Sequence, residues 1–136
     1  MSDAPQGRAA GRRWLVDGMN VIGSRPDRWW NDPDRAVHRL VEALQGFAER
    51  TGDEVTVVFD RRPPDLEPGR HGAVEVAFAQ RKGRNAADHE IVLMVSDDDD
   101  PSGITVVTSD RALADRVQEL GARVEGAGKF RSQIDD

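Results

Sequence analysis

The chain has 136 residues with no cysteine, enough for one domain with a real core that needs neither disulfides nor structural zinc. Its 25 acids against 19 bases give a formal charge of −6, which argues against a non-specific nucleic-acid binder held by its overall field. There is no apolar span or signal-type segment, so a cytoplasmic protein with no membrane partner is the expectation.

Residues 1–12 are polar, carry no periodicity and read as a disordered lead-in to a globular domain over 13–130, with 131–136 as a C-terminal tail. Trp14, Leu15 and Val16 form a short apolar run suited to a central parallel strand, ended by Asp17 and Gly18. A carboxylate there faces the crevice where open α/β sheets bind ligands. An Asp-Gly pair is equally a common turn, with the Asp bonded to its own backbone. A loop follows with Pro26 and adjacent Trp29 and Trp30, placed either to stack on bases or to pack on the next helix. Asp32-Pro33 has the form of a helix cap with proline in the first turn. Val37, Leu40, Val41, Leu44 and Phe47 follow at helical spacing before the stop at Gly52.

Residues 55–59 are β-branched and apolar and end in Asp60, as the first strand ends in Asp17. The stretch 61–72, with three prolines, reads as an exposed, mobile loop, and 73–78 alternates as a third strand. A basic loop with Arg81, Lys82 and Arg84 leads to Asn85, read as the cap of a helix with Ala87, Ile91, Met94 and Val95 on its apolar face and Asp88 in its first turn. The acidic run 97–100 lacks the glycine and glutamate of a calcium loop and reads as a solvated turn. Residues 104–107 form a fourth strand, Thr108-Ser109-Asp110 its exit, and Leu113, Val117 and Leu120 the face of a last helix. A short edge strand over 122–124 precedes a tail from Gly126. This order predicts an α/β fold with a mostly parallel sheet covered by helices on both faces.

Three strands thus end in aspartate, at Asp17, Asp60 and Asp110, and Asp88 opens a helix on the same side. If the strands are neighbours, the carboxylates converge and repel one another unless a cation neutralises them. Hard oxygen ligands of this kind favour Mg²⁺ or Mn²⁺, and an ion so held activates water and stabilises a phosphate under attack. Metal-dependent phosphodiester hydrolysis is the chemistry this pattern suits. Arg81, Lys82 and Arg84 before Asp88, with Arg61 and Arg62 after Asp60, put positive charge on the rim to hold the backbone of a single RNA strand.

The series Leu15-Val16-Asp17-Gly18-Met19-Asn20-Val21-Ile22-Gly23, Val57-Val58-Phe59-Asp60, Asn85-Ala86-Ala87-Asp88 and Val106-Val107-Thr108-Ser109-Asp110 resembles the motifs of NYN domains of the YacP-like branch, within the wider PIN-like nuclease superfamily. The resemblance implies a three-layer, Rossmann-like PIN/NYN fold and a metal-dependent endoribonuclease. It implies Asp17, Asp88 and Asp110 as metal ligands, Asn20 orienting a water or phosphate, Asp60 as an additional acid, and Ser109 steadying the loop that carries Asp110 and facing substrate. Met19 stands where the branch often has an aromatic residue, a departure that bears on stacking. The expected partner is single-stranded RNA, in one version held on the ribosome; oligomeric state stays open.

Other readings are weaker. Gly126-Ala127-Gly128-Lys129 lacks the remainder of a phosphate loop, no Gly-x-Gly-x-x-Gly follows the first strand, and Met19 occupies the position of the second acid of an aspartyl-phosphate phosphatase. His38, His71 and His89 show no paired metal spacing, and Asp115 falls on a polar helix face. The rival that stays is a non-catalytic RNA- or protein-binding module on the same fold, with a toxin-like nuclease blocked by a partner as a third.

Overall fold

The computed structural model describes residues 12–80 and 85–135. The lead-in up to residue 11 and the basic loop carrying Arg81, Lys82 and Arg84 lie outside them. The apolar run at Trp14 becomes β1 (Arg13–Asp17), from which α1 (Gly18–Ile22) starts without an intervening loop. Then come α2 (Pro33–Thr51), β2 (Glu54–Phe59), β3 (Gly69–His71), β4 (Val74–Phe78) and α3 (Ala86–Asp97). β5 (Ile104–Val107), α4 (Arg111–Glu119), β6 (Arg123–Glu125) and α5 (Ala127–Ile134) complete the order.

The strands form one sheet in the order β3-β4-β2-β1-β5-β6, parallel throughout except for β3 on β4. From β1 the chain winds outward to β2 and β4, then crosses back to β5 and β6. β1 is therefore central, with Val16 beside Val57 on one side and Val107 on the other, and the gap between β1 and β5 is the switch point where ligands bind in such sheets.

Side-chain alternation sorts the core into two layers. Trp14 and Val16 point to the face packed by α1, α2 and α5, where Leu44, Phe47 and Phe130 meet them. Leu15 and Val58 point to the face covered by Ile91 and Val95 of α3 and Leu113 and Val117 of α4. Each fully buried side chain of this size contributes about 1.5–3 kcal/mol. By the same alternation Asp17 and Asp60 fall on the α3/α4 face.

The α2 cap forms as its sequence predicts: Asp32 accepts from the Arg35 amide at 3.2 Å, and Gly52 ends the helix at φ +76°. Asn85 does not cap α3 with its side chain; it precedes the helix at φ +66°. The stretch 61–72 is not a free loop, because Pro63 and Leu66 are buried and residues 69–71 pair with β4. Arg62 donates to the Leu66 carbonyl and lies 5.5 Å over the Phe78 ring. The acidic run also has a task, since Asp98 clamps the Arg13 guanidinium through both oxygens at 2.6 and 3.1 Å. The largest departure is the supposed tail. Residues 127–134 form α5, with Phe130 packed against Trp14 and Phe47 and Ile134 buried in the same core layer. Among the described residues no helix is long and apolar enough to cross a membrane.

Candidate active site

Asp17 ends β1 facing the α3/α4 layer and is buried, only 6% exposed. Gly18 permits the direct entry into α1, since a β-carbon there would overlap the Phe59 ring. Thr108, leaving β5, is also buried. Its hydroxyl donates to Asp17 Oδ2 at 3.0 Å and accepts from the Asp110 amide at 3.1 Å. One side chain therefore ties the exits of β1 and β5 together.

Asn20, on α1, accepts from the Ser109 amide at 2.8 Å, which leaves its NH₂ free of that bond. Ser109 Oγ accepts from the Ala127 amide at 2.9 Å and so holds the start of α5. Asp110 caps α4 by accepting from the Leu113 amide at 3.0 Å. Asp88 is half-buried in the first turn of α3, and Asp60 is exposed just past β2.

The four carboxylates act on one another. Burial pushes the Asp17 carboxyl up to about 7, opposed by the Thr108 hydrogen bond and reinforced by Asp88, Asp60 and Asp110. Burial likewise raises Asp88, helped by Asp110 and Asp60, while Arg116 of α4 pulls it back. Thr108 and Arg116 are the residues that the sequence pattern did not single out. The first stood in view in the β5 exit; the second had no signal beyond an arginine on a polar helix face.

Among the described residues no three acidic or histidine side chains stand close enough to share one ion. The donors still fit a divalent cation in kind. They are hard carboxylate oxygens, one of them desolvated, and Mg²⁺ keeps several waters while taking one or two carboxylates.

Of the rim bases, Arg61 pairs with Asp34 at the start of α2 at 2.7 Å, and Arg62 is engaged by Leu66 and by Glu67 at 3.2 Å. Asp115 is exposed, His38 pairs with Asp65, and His71 meets the Glu67 carbonyl.

A six-stranded, mostly parallel sheet with helices on both faces and an acidic crevice at its switch point define a PIN-like α/β domain. The YacP-like NYN domain model matches residues 14–136, and the chain belongs to that family of PIN-like nucleases. Two crystal structures of Rae1 (YacP) from Bacillus subtilis, one of them a point mutant, are similar to it at 27% identity. Both alignments cover 90% of this chain; the mutant has a TM-score of 0.71 over 74% of its own length, the other 0.73 over 72%. Comparison with curated proteins gives no match.

Proposed function

We propose that the protein is a metal-dependent endoribonuclease that hydrolyses phosphodiester bonds of single-stranded RNA at the β1/β5 crevice. The observation that carries the reading is Asp17 itself, buried at the end of the central strand beside the β1/β5 switch point and within the electrostatic reach of Asp60, Asp88 and Asp110. Membership of a nuclease family supports it.

Asp17, Asp88 and Asp110 would hold Mg²⁺ or Mn²⁺. When bound, the ion supplies an activated water and charge stabilisation at the phosphate. The chain's own residues do the rest. Thr108 keeps Asp17 aimed into the crevice and lowers its proton affinity. Asn20, its carbonyl fixed by Ser109, presents its NH₂ to a phosphate oxygen or to the attacking water. Asp60, exposed just past β2, would be the additional acidic residue of the site, its carboxylate accepting the proton from that water as a base. Hydrolysis adds one water across one P–O bond and leaves a phosphomonoester and a hydroxyl. Arg81, Lys82 and Arg84, preceding α3, would hold the RNA backbone beside Asp88.

The second reading is a binding module on the same fold, favoured by the spacing of the acids, which stops short of a closed three-ligand cage. Cleavage of a labelled single-stranded RNA by wild type and Asp17→Asn, with Mn²⁺, with Mg²⁺ and with EDTA, decides between them. Metal-dependent cutting that the substitution abolishes is the expected result. RNA binding without cutting under any of these conditions selects the binding module.

A further inference from the structure

On the other face of the sheet, at the same carboxyl end, lies a groove of about 180 Å³ between the loop after α1, the first turns of α2, and α5. Its walls carry Trp29 and four arginines, Arg28, Arg35, Arg39 and Arg131, against two aspartates. The aspartates are already engaged: Asp32 caps α2, and Asp27 pairs with Arg131 at 3.6 Å. Arg131 is itself committed, donating to the Val21 carbonyl at the end of α1 at 3.1 Å. Arg28, Arg35 and Arg39 have no carboxylate partner among the described residues, in a chain whose net charge is −6.

The loop is shaped to present Trp29. Arg28 adopts φ +62°, a left-handed conformation that side chains rarely take, and so opens a short 3-10 turn, Trp29–Asn31. Trp29 is half-buried against the core, and Trp30, 56% exposed, stands edge-on to it at 6.2 Å. Arg35 and Arg39 are one helical turn apart on α2 and share a face. The groove communicates with the acids through α1, whose first residue follows Asp17 and whose last, Ile22, lines the groove, about 6 Å of helix in all.

We propose that this groove is a subsite for a nucleotide of single-stranded RNA adjoining the phosphodiester at the acids. Trp29 stacks on its base, and Arg35 and Arg39 bind the flanking phosphates. An indole face beside unpaired guanidinium groups, in a cleft sized for one ring, fits a base with its phosphates better than an acidic peptide, which has no ring to stack. The strand then passes over the carboxyl edge of the sheet along α1. The assignment rests on the nuclease reading only for what happens at the neighbouring phosphate; the binding does not require cutting.

The test is titration of the full chain in EDTA with a short single-stranded oligoribonucleotide, followed by tryptophan fluorescence. Quenching is expected in wild type and is lost in Trp29→Phe, which keeps the packing. Arg35→Ala/Arg39→Ala is expected to bind about tenfold more weakly, with the slope of log K against log salt reduced by about 1.4, or about 0.7 for each phosphate no longer held. Arg50→Ala, at the far end of α2, serves as the control for non-specific charge. Unchanged affinity and slope in the double variant, or undiminished quenching in Trp29→Phe, overturns the subsite. Equal quenching by polyglutamate overturns the RNA assignment. If wild type cuts RNA with metal but the double variant binds like wild type, the subsite alone falls. If wild type binds with these signatures and cuts nothing, the subsite stands and the nuclease reading falls.

Discussion

Replacing Asp17 by asparagine should make the metal-free protein more stable while abolishing its activity. Asparagine keeps the shape and still accepts from Thr108, but removes a buried charge. At about 1.4 kcal/mol per pH unit, the rise of the Asp17 carboxyl from 3.8 to about 7 corresponds to about 4 kcal/mol of penalty once the group ionises. The new amide NH₂ needs a partner in a buried setting and gives back about 1–3 kcal/mol, leaving a net gain of about 2 kcal/mol. For a domain of this size that is a rise in Tm of about 5–10 °C. The sign with pH follows from linkage. A carboxyl whose proton affinity is raised by folding makes the wild type fully stable below 3.8, and that stability drains away as pH rises to about 7. Asp17→Asn should therefore be about 2 kcal/mol less stable than wild type at pH 4, where only the cost of the amide remains, overtake it within this window and level off about 2 kcal/mol ahead above 7. Thermal melts of both proteins in EDTA across that range measure it, and Mn²⁺ should raise the Tm of wild type alone. A variant no more stable than wild type at pH 8, or an advantage that does not vary with pH, would refute the argument that burial destabilises the Asp17 charge.

Other expectations rest on the same geometry. Thr108→Val removes the bond that lowers the Asp17 proton affinity and leaves the Asp110 amide unpaired; it should cost about 1–3 kcal/mol and move the acid limb of a cleavage pH profile upward. Gly18→Ala drives a methyl into the Phe59 ring and should cost about 1–3 kcal/mol, read by denaturant midpoint. Phe130→Ala should cost about 3–5 kcal/mol if α5 belongs to the core; a midpoint unchanged from wild type would mean that residues 127–134 are a tail after all. Arg84→Ala should weaken RNA binding and flatten its salt slope by about 0.7, measured by filter retention at several salt concentrations.

The local chemistry of the chain is legible because it depends on neighbours in sequence. The β-branched runs, the Asp32-Pro33 cap and the stop at Gly52 follow from propensity and capping and appear where the residues put them, whereas of the three aspartates only Asp17 ends its strand: Asp60 stands just past β2, and Asp110 caps α4 three residues after β5. Asn85 departs from expectation because an asparagine before a helix suits both a cap and a left-handed turn, and only the path of the chain into α3 chooses between them. Residues 127–134 depart for a related reason. Gly126-Ala127-Gly128-Lys129 is a poor helix former, and the helix exists because Phe130 finds a place against Trp14 and Phe47 and Ile134 is buried in the same core layer.

By itself the sequence determined an α/β chain whose strands deliver carboxylates to one end, since period-two apolar runs and their terminal residues are short-range properties. Tertiary structure decided which strands are neighbours. The order β3-β4-β2-β1-β5-β6 sets Asp17 beside the β5 exit, lets Thr108 bridge it to Asp110, and brings in Arg116. It also decided the groove around Trp29, whose walls come from the loop after α1, from α2 and from α5, segments about a hundred residues apart at their extremes. Long-range pairing is chosen by the sum of many packing interactions, and no window of sequence contains that sum.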